Sequence, residues 1–217
     1  MVSGPDFIFI FESVIMLFVI FIVFHVILSQ EVEPSSFIYM FFGLFAMQIA
    51  NTLEISLFGS FILTTNDALI FLSPIIEEIL KFGILLYLFA RDPEEEKEML
   101  LQGLMLGMGF ANGELIGYAV ILGPDVLFQR TILLPFTHPL FSMIMAYGLY
   151  QTKQENWRKY LVYLSLPFAI LLHMLWNAVL VYVEPFIYVV VILNGIIFYL
   201  IIQQTYQFNL TELVSTS

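Results

Sequence analysis

Two adjacent glutamates and a lysine interrupt a long apolar stretch of the sequence, 73-SPIIEEILKFGILLY-87. Charged side chains in the interior of a membrane helix cost roughly 2.5–3.5 kcal/mol each on insertion scales, so such residues usually serve a function. Glu77, Glu78 and Lys81 are therefore candidates for a functional site. Glu77 and Lys81 are spaced i,i+4 with the glutamate first, which favours an ion pair between them. Because Glu77 and Glu78 point about 100° apart, we expect one of them to face a cavity and the other to face a packed helix or the lysine.

Four more polar residues lie inside apolar stretches further along the chain: Glu114, His138, His173 and Asn177. His173 and Asn177 are spaced i,i+4 and so project from one face of a helix. At a rise of 1.5 Å per residue, these four and the two glutamates all fall roughly 8–16 Å below the outer surface of the membrane. We therefore expect the six residues to form one site.

Carboxylates, imidazoles and an amide at one depth support hydrolysis without a serine or cysteine nucleophile. An ionised carboxylate can take a proton from water near neutral pH. A histidine and an asparagine one turn apart can donate hydrogen bonds to the oxyanion that forms when water attacks a carbonyl group. Together these groups predict a peptidase of glutamic type.

The same side chains permit a metal site instead. Glu77, His138 and His173 are suitable ligands for Zn²⁺, with water as the fourth ligand. They come from three separate predicted helices, and the sequence has no HExxH motif that would pre-orient two of them. We therefore expect no cofactor, with Zn²⁺ as the alternative.

A third interpretation is not enzymatic. Ionisable groups inside a membrane also suit a proton-coupled transporter or a non-catalytic scaffold, although the internal repeats typical of transporters are absent from the sequence. Four further ionisable residues lie nearer the ends of the apolar stretches, and we expect them to be interfacial or structural. They are Glu12, His25, Glu54 and Asp67.

The composition is that of an integral membrane protein. Of 217 residues, 60% are hydrophobic and 12% are charged, whereas about a quarter of the residues in soluble domains are charged. The mean hydropathy is +0.94. The formal net charge of −11 argues against nucleic acid as a partner. The absence of cysteine excludes disulfides and thiol chemistry.

Seven stretches are long and apolar enough to cross a lipid bilayer as helices, which takes about 20 residues each. They cover residues 7–29, 37–58, 68–90, 99–122, 130–150, 160–182 and 186–203. We therefore predict an all-α, polytopic bundle of about seven transmembrane helices that forms a single integral membrane domain over residues 1–217. Small residues in the fourth stretch predict close helix packing. They are Gly103, Gly107, Gly109, Gly113 and Gly117.

Lysine and arginine are concentrated on one side of this predicted bundle. The opposite side holds only Arg130. Because basic loop residues favour the cytoplasmic side, we predict the N-terminus outside, the C-terminus in the cytoplasm and the site in the outer half of the membrane. The basic loop residues that decide this are Arg91, Lys97, Lys153, Arg158 and Lys159.

Four motifs resemble, in order and spacing, the PrsW family of intramembrane proteases, which is related to the CAAX-processing and bacteriocin-processing membrane proteases. The resemblance implies that Glu77 activates the hydrolytic water with help from Glu78. It also implies that His173 and Asn177 bind the oxyanion. The motifs lie in a core of about residues 68–182 and read 77-EEILK-81, 107-GMGFANGELIGY-118, 130-RTILLPFTHP-139 and 173-HMLWN-177.

The resemblance extends to the remaining site residues. Glu114 occupies the position where CAAX proteases carry a histidine, because 110-FANGE-114 reads FxxxE. His138 corresponds to an additional histidine of the PrsW type, and Lys81 stands one position closer to the glutamates than the arginine of EExxxR. The resemblance implies a multi-pass endopeptidase of the cell membrane. Its substrate would be a membrane-anchored protein, similar to an anti-sigma factor, cleaved near the extracytoplasmic side.

Overall fold

The computed structural model describes residues 37–58, 66–91, 96–122, 137–153, 156–182, 189, 192–197 and 199–201. Within these ranges the chain is all-helical and contains no β-strand. The first predicted span, 7–29, lies outside the described residues, as do Arg130 and much of the last predicted span. The all-α class is confirmed for the part of the chain that the structure describes.

Five α-helices make up the bundle in the described ranges. A π-helical turn, Ala68–Leu72, leads into the second of them. Two 3₁₀ turns, Gln151–Lys153 and Trp157–Tyr160, lie between the fourth and the fifth. The helices are α1 (Ile38–Phe58), α2 (Ser73–Phe89), α3 (Glu96–Leu122), α4 (His138–Tyr150) and α5 (Leu161–Tyr182).

Three helical segments of the described residues are long and apolar enough to cross a membrane: Ile38–Leu57, Glu98–Gly117 and Trp157–Tyr182. Helix α2 has 17 residues and α4 has 13, fewer than the roughly 20 that a span needs. The π-helical turn lengthens α2, whereas α4 begins at His138, where the described residues resume after a gap. The predicted number of seven spans stays a prediction.

Helix α3 is the central helix of the described bundle. In its most apolar stretch 89% of the residues are buried, compared with 33% in α1 and 28% in α5. Glycine makes this possible, since a Cβ atom on Gly109 would collide with the Met40 carbonyl group of α1, and one on Gly107 with the His138 carbonyl group of α4. The predicted close packing of small residues is confirmed at both positions.

Pro74 accounts for the widened turn before α2. The backbone N–H of Ser73 bonds to the carbonyl group of Ala68, five residues earlier. The next residue, Pro74, has no N–H to continue this pattern. The carbonyl group of Leu69 instead accepts a hydrogen bond from the side chain of Asn177, at 2.9 Å. Asn177 thereby ties α5 to the start of α2.

The outer faces of the bundle are apolar. Phe41 and Phe45 on α1 are largely exposed, as are Tyr163 and Leu164 on α5. Ionisable side chains of α2, by contrast, point inward, and Glu78 and Lys81 are both completely buried. Apolar outer faces with charged side chains in the interior are expected of helices that are surrounded by lipid.

Candidate active site

Five of the six predicted site residues come together between four helices. Each is buried, with at most 8% of its surface exposed. The sixth, Asn177, lies one turn beyond His173 on α5 and uses one amide hydrogen on the Leu69 carbonyl group. The five are Glu77 and Glu78 on α2, Glu114 on α3, His138 on α4 and His173 on α5.

Glu78 binds two of the other polar side chains of the site. Its Oε1 atom lies 2.6 Å from Nζ of Lys81 and 2.8 Å from Nδ1 of His173. The predicted ion pair between Lys81 and Glu77 is therefore wrong, since the ammonium group binds the neighbouring glutamate at spacing i,i+3. The two glutamates diverge because adjacent residues on a helix point about 100° apart. Glu78 turns to the lysine, and Glu77 is left for other partners.

Lys81 also fixes the state of His138. Its Nζ atom lies 3.1 Å from Nδ1 of His138, and an ammonium group donates hydrogen bonds but accepts none. Nδ1 is therefore the accepting nitrogen, and Nε2 carries the hydrogen. That hydrogen points to Oε2 of Glu114 on α3, at 2.6 Å. The chain of contacts Glu78–Lys81–His138–Glu114 thus joins α2, α4 and α3.

Glu77 presents one free oxygen to both histidines. Its Oε1 atom accepts a hydrogen bond from the Ser73 hydroxyl group at 2.7 Å. Its Oε2 atom has no hydrogen-bond partner among the residues that the structure describes. That atom lies 3.9 Å from Nδ1 of His138 and 4.0 Å from Nε2 of His173. A buried, unpartnered carboxylate oxygen is costly, so its placement calls for a ligand or a reaction.

Glu54 on α1, to which the sequence analysis gave no role in the site, contacts this cluster as well. Its Oε1 atom lies 2.8 Å from the same Ser73 hydroxyl oxygen that contacts Glu77. Glu54 is 5% exposed and Ser73 is 4% exposed. Sequence reasoning missed both residues, although Glu54 carried the signal of a charge inside a span.

Aromatic rings surround the two histidines. Phe141 stacks on His173 with 5.3 Å between ring centroids, and Phe110 lies 5.1 Å from His138. Nζ of Lys81 lies 4.4 Å from the centre of the Phe110 ring, within the range of a cation–π interaction. These rings hold the imidazoles in place and shield the polar groups from lipid.

Comparison with known proteins shows the family of the chain. A family model described as "PrsW family intramembrane metalloprotease" matches residues 11–202, which is most of the chain. The chain belongs to the PrsW family. It is therefore an intramembrane protease, a hydrolase of peptide bonds, and membrane location follows from the family and from the three apolar segments.

A relative with a protease name supports the assignment. The chain is 28% identical over 147 residues to "Protease PrsW" of Halalkalibacterium halodurans, covering 62% of this chain and 68% of the relative. No solved structure matches the chain. Membership of a protease family leaves no support for the transporter or scaffold interpretation.

The PrsW family description implies a metal ion, and the residues present can be tested for their fit to one. Glu77, Glu78, His138 and His173 each offer one ligand atom, and these atoms lie within 4.8 Å of one another. The ligand atoms of tetrahedral Zn²⁺ sites lie roughly 3.3–3.6 Å apart. The unpartnered oxygens of Glu77 and Glu78 are free to bind, whereas Nδ1 of His138 contacts Lys81. The donor set fits a divalent cation after a small contraction and a shift of the lysine.

The charges of the site also favour a cation or protons. Four buried carboxyl groups come together, from Glu54, Glu77, Glu78 and Glu114, and Lys81 is the buried ammonium group beside them. A buried carboxylate without a compensating charge is strongly unfavourable. Bound protons, a charged imidazole or a metal ion must therefore balance the excess.

Proposed function

We propose that the chain is an intramembrane endopeptidase of glutamic type in which Glu77 activates the hydrolytic water. The observation that carries the proposal is the free Oε2 atom of Glu77, buried and 3.9–4.0 Å from His138 and His173. A general base needs a free lone pair within hydrogen-bond reach of the proton that it takes. Among the five clustered residues, Glu77 combines an unpartnered oxygen with a position between the two imidazoles.

In this mechanism Glu77 takes a proton from water as the water oxygen attacks the scissile carbonyl carbon. The proton is then delivered to the leaving amine, as expected of a single acid–base group. Glu78 assists by accepting from Nδ1 of His173, which aims Nε2 toward Glu77. Because Nδ1–H is committed to Glu78, His173 donates to the oxyanion in its protonated form. Glu114 orients His138 in the same way.

Asn177 supplies the second oxyanion donor. A side-chain amide carries two hydrogens, and one of them goes to the carbonyl group of Leu69. The other is available for the oxyanion. The bond to Leu69 holds the amide in a fixed position, which favours a preorganised donor.

The substrate we propose is a membrane-anchored protein similar to an anti-sigma factor, cut near the extracytoplasmic side of the cell membrane. The distribution of basic loop residues supports this side. The proposal includes a topology of seven spans in one domain, with the N-terminus outside and the C-terminus in the cytoplasm.

A second candidate is a zinc-dependent protease that uses Glu77, His173 and His138. The pair of Glu78 and His173 favours it, because histidines that bind a metal commonly donate their other ring N–H to a carboxylate. A bound Zn²⁺ ion would act there as a Lewis acid toward water and the substrate carbonyl group. Lys81 opposes it, since its ammonium group contacts one of the required nitrogens.

The first experiment measures cleavage of single-span reporter proteins by the purified protease in detergent. Glu77→Ala is expected to abolish cleavage while the protein still inserts and stays folded. Asp67→Asn, at an exposed position outside the cluster, is the matched control and should cleave like the parent. Retained cleavage by Glu77→Ala would refute the proposal.

Chelation separates the two candidates. The glutamic mechanism predicts that cleavage survives a strong chelator and that the purified protein holds no stoichiometric zinc by elemental analysis. Loss of cleavage on chelation, restored by Zn²⁺, would replace it with the metal mechanism. The elemental analysis gives an answer even before an efficient substrate is found.

A further inference from the structure

We propose that Glu54 and Ser73 are positioning residues for Glu77, so that α1 takes part in the reaction through a hydrogen-bonded chain. The proposal rests on the assignment of Glu77 as the general base. It adds a helix that contributes none of the predicted site residues. It also gives a role to a buried glutamate that the mechanism otherwise leaves unused.

The hydrogen-bonded series consists of three side chains, with Ser73 between Glu54 and Glu77. The Ser73 hydroxyl oxygen lies 2.7 Å from Oε1 of Glu77 and 2.8 Å from Oε1 of Glu54. All three residues are at most 5% exposed. Hydrogen bonds between buried groups are stronger than in water. The link therefore restrains the Glu77 carboxyl group and leaves its Oε2 atom facing the histidines.

One hydroxyl group cannot donate to two carboxylates at once, because it carries a single hydrogen. For both short contacts to be hydrogen bonds, one of the two carboxyl groups must itself donate to the Ser73 oxygen. The hydrogen-bonding role of residue 54 is therefore linked to that of Glu77. A side chain at position 54 that can either donate to Ser73 or accept from it leaves the Ser73 hydroxyl group able to bond to Glu77. A glutamine amide offers both functions, whereas leucine offers neither.

Ser73 is itself held in place from two sides. Its backbone N–H bonds to Ala68 in the π-helical turn. That turn is fixed to α5 by the bond from Asn177 to Leu69. The hydroxyl group thus stands on a restrained segment, and Glu54 reaches it from α1. Side chains that hold a reacting group in line commonly affect turnover more than substrate binding.

The test uses steady-state cleavage of the fastest single-span reporter protein. Ser73→Ala and Glu54→Leu should each lower kcat by about 10- to 100-fold, as expected for loss of a hydrogen bond to a charged group, with KM changed less than about 3-fold. Ser73→Thr and Glu54→Gln should recover most of the rate. Ser165→Ala removes a buried hydroxyl group that bonds to the Val162 carbonyl group within α5 and should leave kcat unchanged.

The double variant Glu54→Leu, Ser73→Ala decides whether Glu54 acts through Ser73. Its kcat should equal that of Ser73→Ala alone, since the second loss removes nothing further. The proposal would be overturned if the fall in kcat of the double variant equalled the product of the two single falls. It would also be overturned if Glu54→Gln were as slow as Glu54→Leu. Unchanged kcat in Ser73→Ala would overturn it as well. If that variant is fully active while Glu77→Ala is inactive, only the positioning role fails; activity in Glu77→Ala refutes the proposed function itself.

Discussion

Lys81 is the residue whose contacts organise the rest of the site. Completely buried, it lies between the Glu78 carboxylate and the His138 imidazole, over the ring of Phe110. It neutralises Glu78 and, by donating to Nδ1, determines which nitrogen of His138 carries the hydrogen. Glu77 is thereby spared an ion pair of its own and keeps a free oxygen. A lysine at this position separates the tasks of two adjacent glutamates.

Removing this ammonium group should weaken the fold. Lys81→Met leaves Glu78 buried without its cation, which we expect to lower the free energy of unfolding by about 3–5 kcal/mol. Denaturation of the purified protein in detergent measures the change. Lys153→Met, at an exposed lysine, is the control and should shift the free energy by less than about 0.5 kcal/mol. Equal stabilities for the two variants would contradict the assigned role of Lys81.

Asn177 should matter more for the rate than for the fold. Asn177→Ala removes the proposed oxyanion donor and is expected to lower kcat by roughly 10²–10³. It also leaves the Leu69 carbonyl group without its partner, which should cost about 1 kcal/mol of stability. Cleavage kinetics and denaturation on the same preparation separate the effects. An unchanged kcat with reduced stability would restrict Asn177 to tying α5 to the turn before α2.

That five ionisable residues lie close together could be predicted from sequence, because an ionisable group inside a span is expensive and therefore informative. Ser73 could not be, since a serine in an apolar helix costs little and carries no comparable signal. The contact of Glu54 with Ser73 could not be predicted for another reason. Glu54 lies near the end of α1, and its surroundings depend on how α1 packs against α2 and α3. The partner of Lys81 was likewise decided by packing and not by spacing.

At the scale of the elements, the position of the site follows from close contacts along α3. Gly109 admits the backbone of α1 and Gly107 admits that of α4, so Glu54 and His138 can reach the same cluster. The glycine spacing predicted this packing. The π-helical turn before α2 and the start of α4 at His138 were not predicted, because hydropathy registers apolar length but not the pattern of backbone hydrogen bonds. Pro74 was the available hint.

Adding a methyl group at one of these close helix contacts should lower the stability of the bundle. Gly107→Ala places a methyl group against the backbone of His138 and Pro139, and overpacking of this kind costs about 1–3 kcal/mol. Thermal unfolding in detergent measures the loss. Gly83→Ala is the matched control, since nothing lies within 4 Å of a Cβ there and alanine favours a helix. A Gly107→Ala protein as stable as Gly83→Ala would contradict the packing role.

At the scale of the whole molecule, the described helices hold an acidic, buried centre inside an apolar exterior. This arrangement requires a way in for water and substrate, because the proposed mechanism consumes water at Glu77. Composition predicted the membrane environment securely, since 60% hydrophobic residues leave few alternatives. The number of spans and their orientation depend on stretches beyond the described helices, where hydropathy and loop charge remain the guide.

The orientation can be measured directly because the chain contains no cysteine. We expect a cysteine introduced at Asp67 to react with a membrane-impermeant maleimide in intact cells. A cysteine introduced at Lys153 should react only after the membrane is opened, because it lies on the side rich in basic residues. The reverse pattern would place the site near the cytoplasmic face and remove the proposed class of substrate.

The central claim is that the Glu77 carboxylate activates water, and single-turnover cleavage by Glu77→Gln tests it most directly. Glutamine keeps the shape of the side chain and can still accept from Ser73, but it cannot take a proton from water. We predict that cleavage in chelator-treated detergent solution falls by about 10²–10⁴ relative to the parent, the contribution expected of a general base. Cleavage by Glu77→Gln at the parent rate would contradict the account.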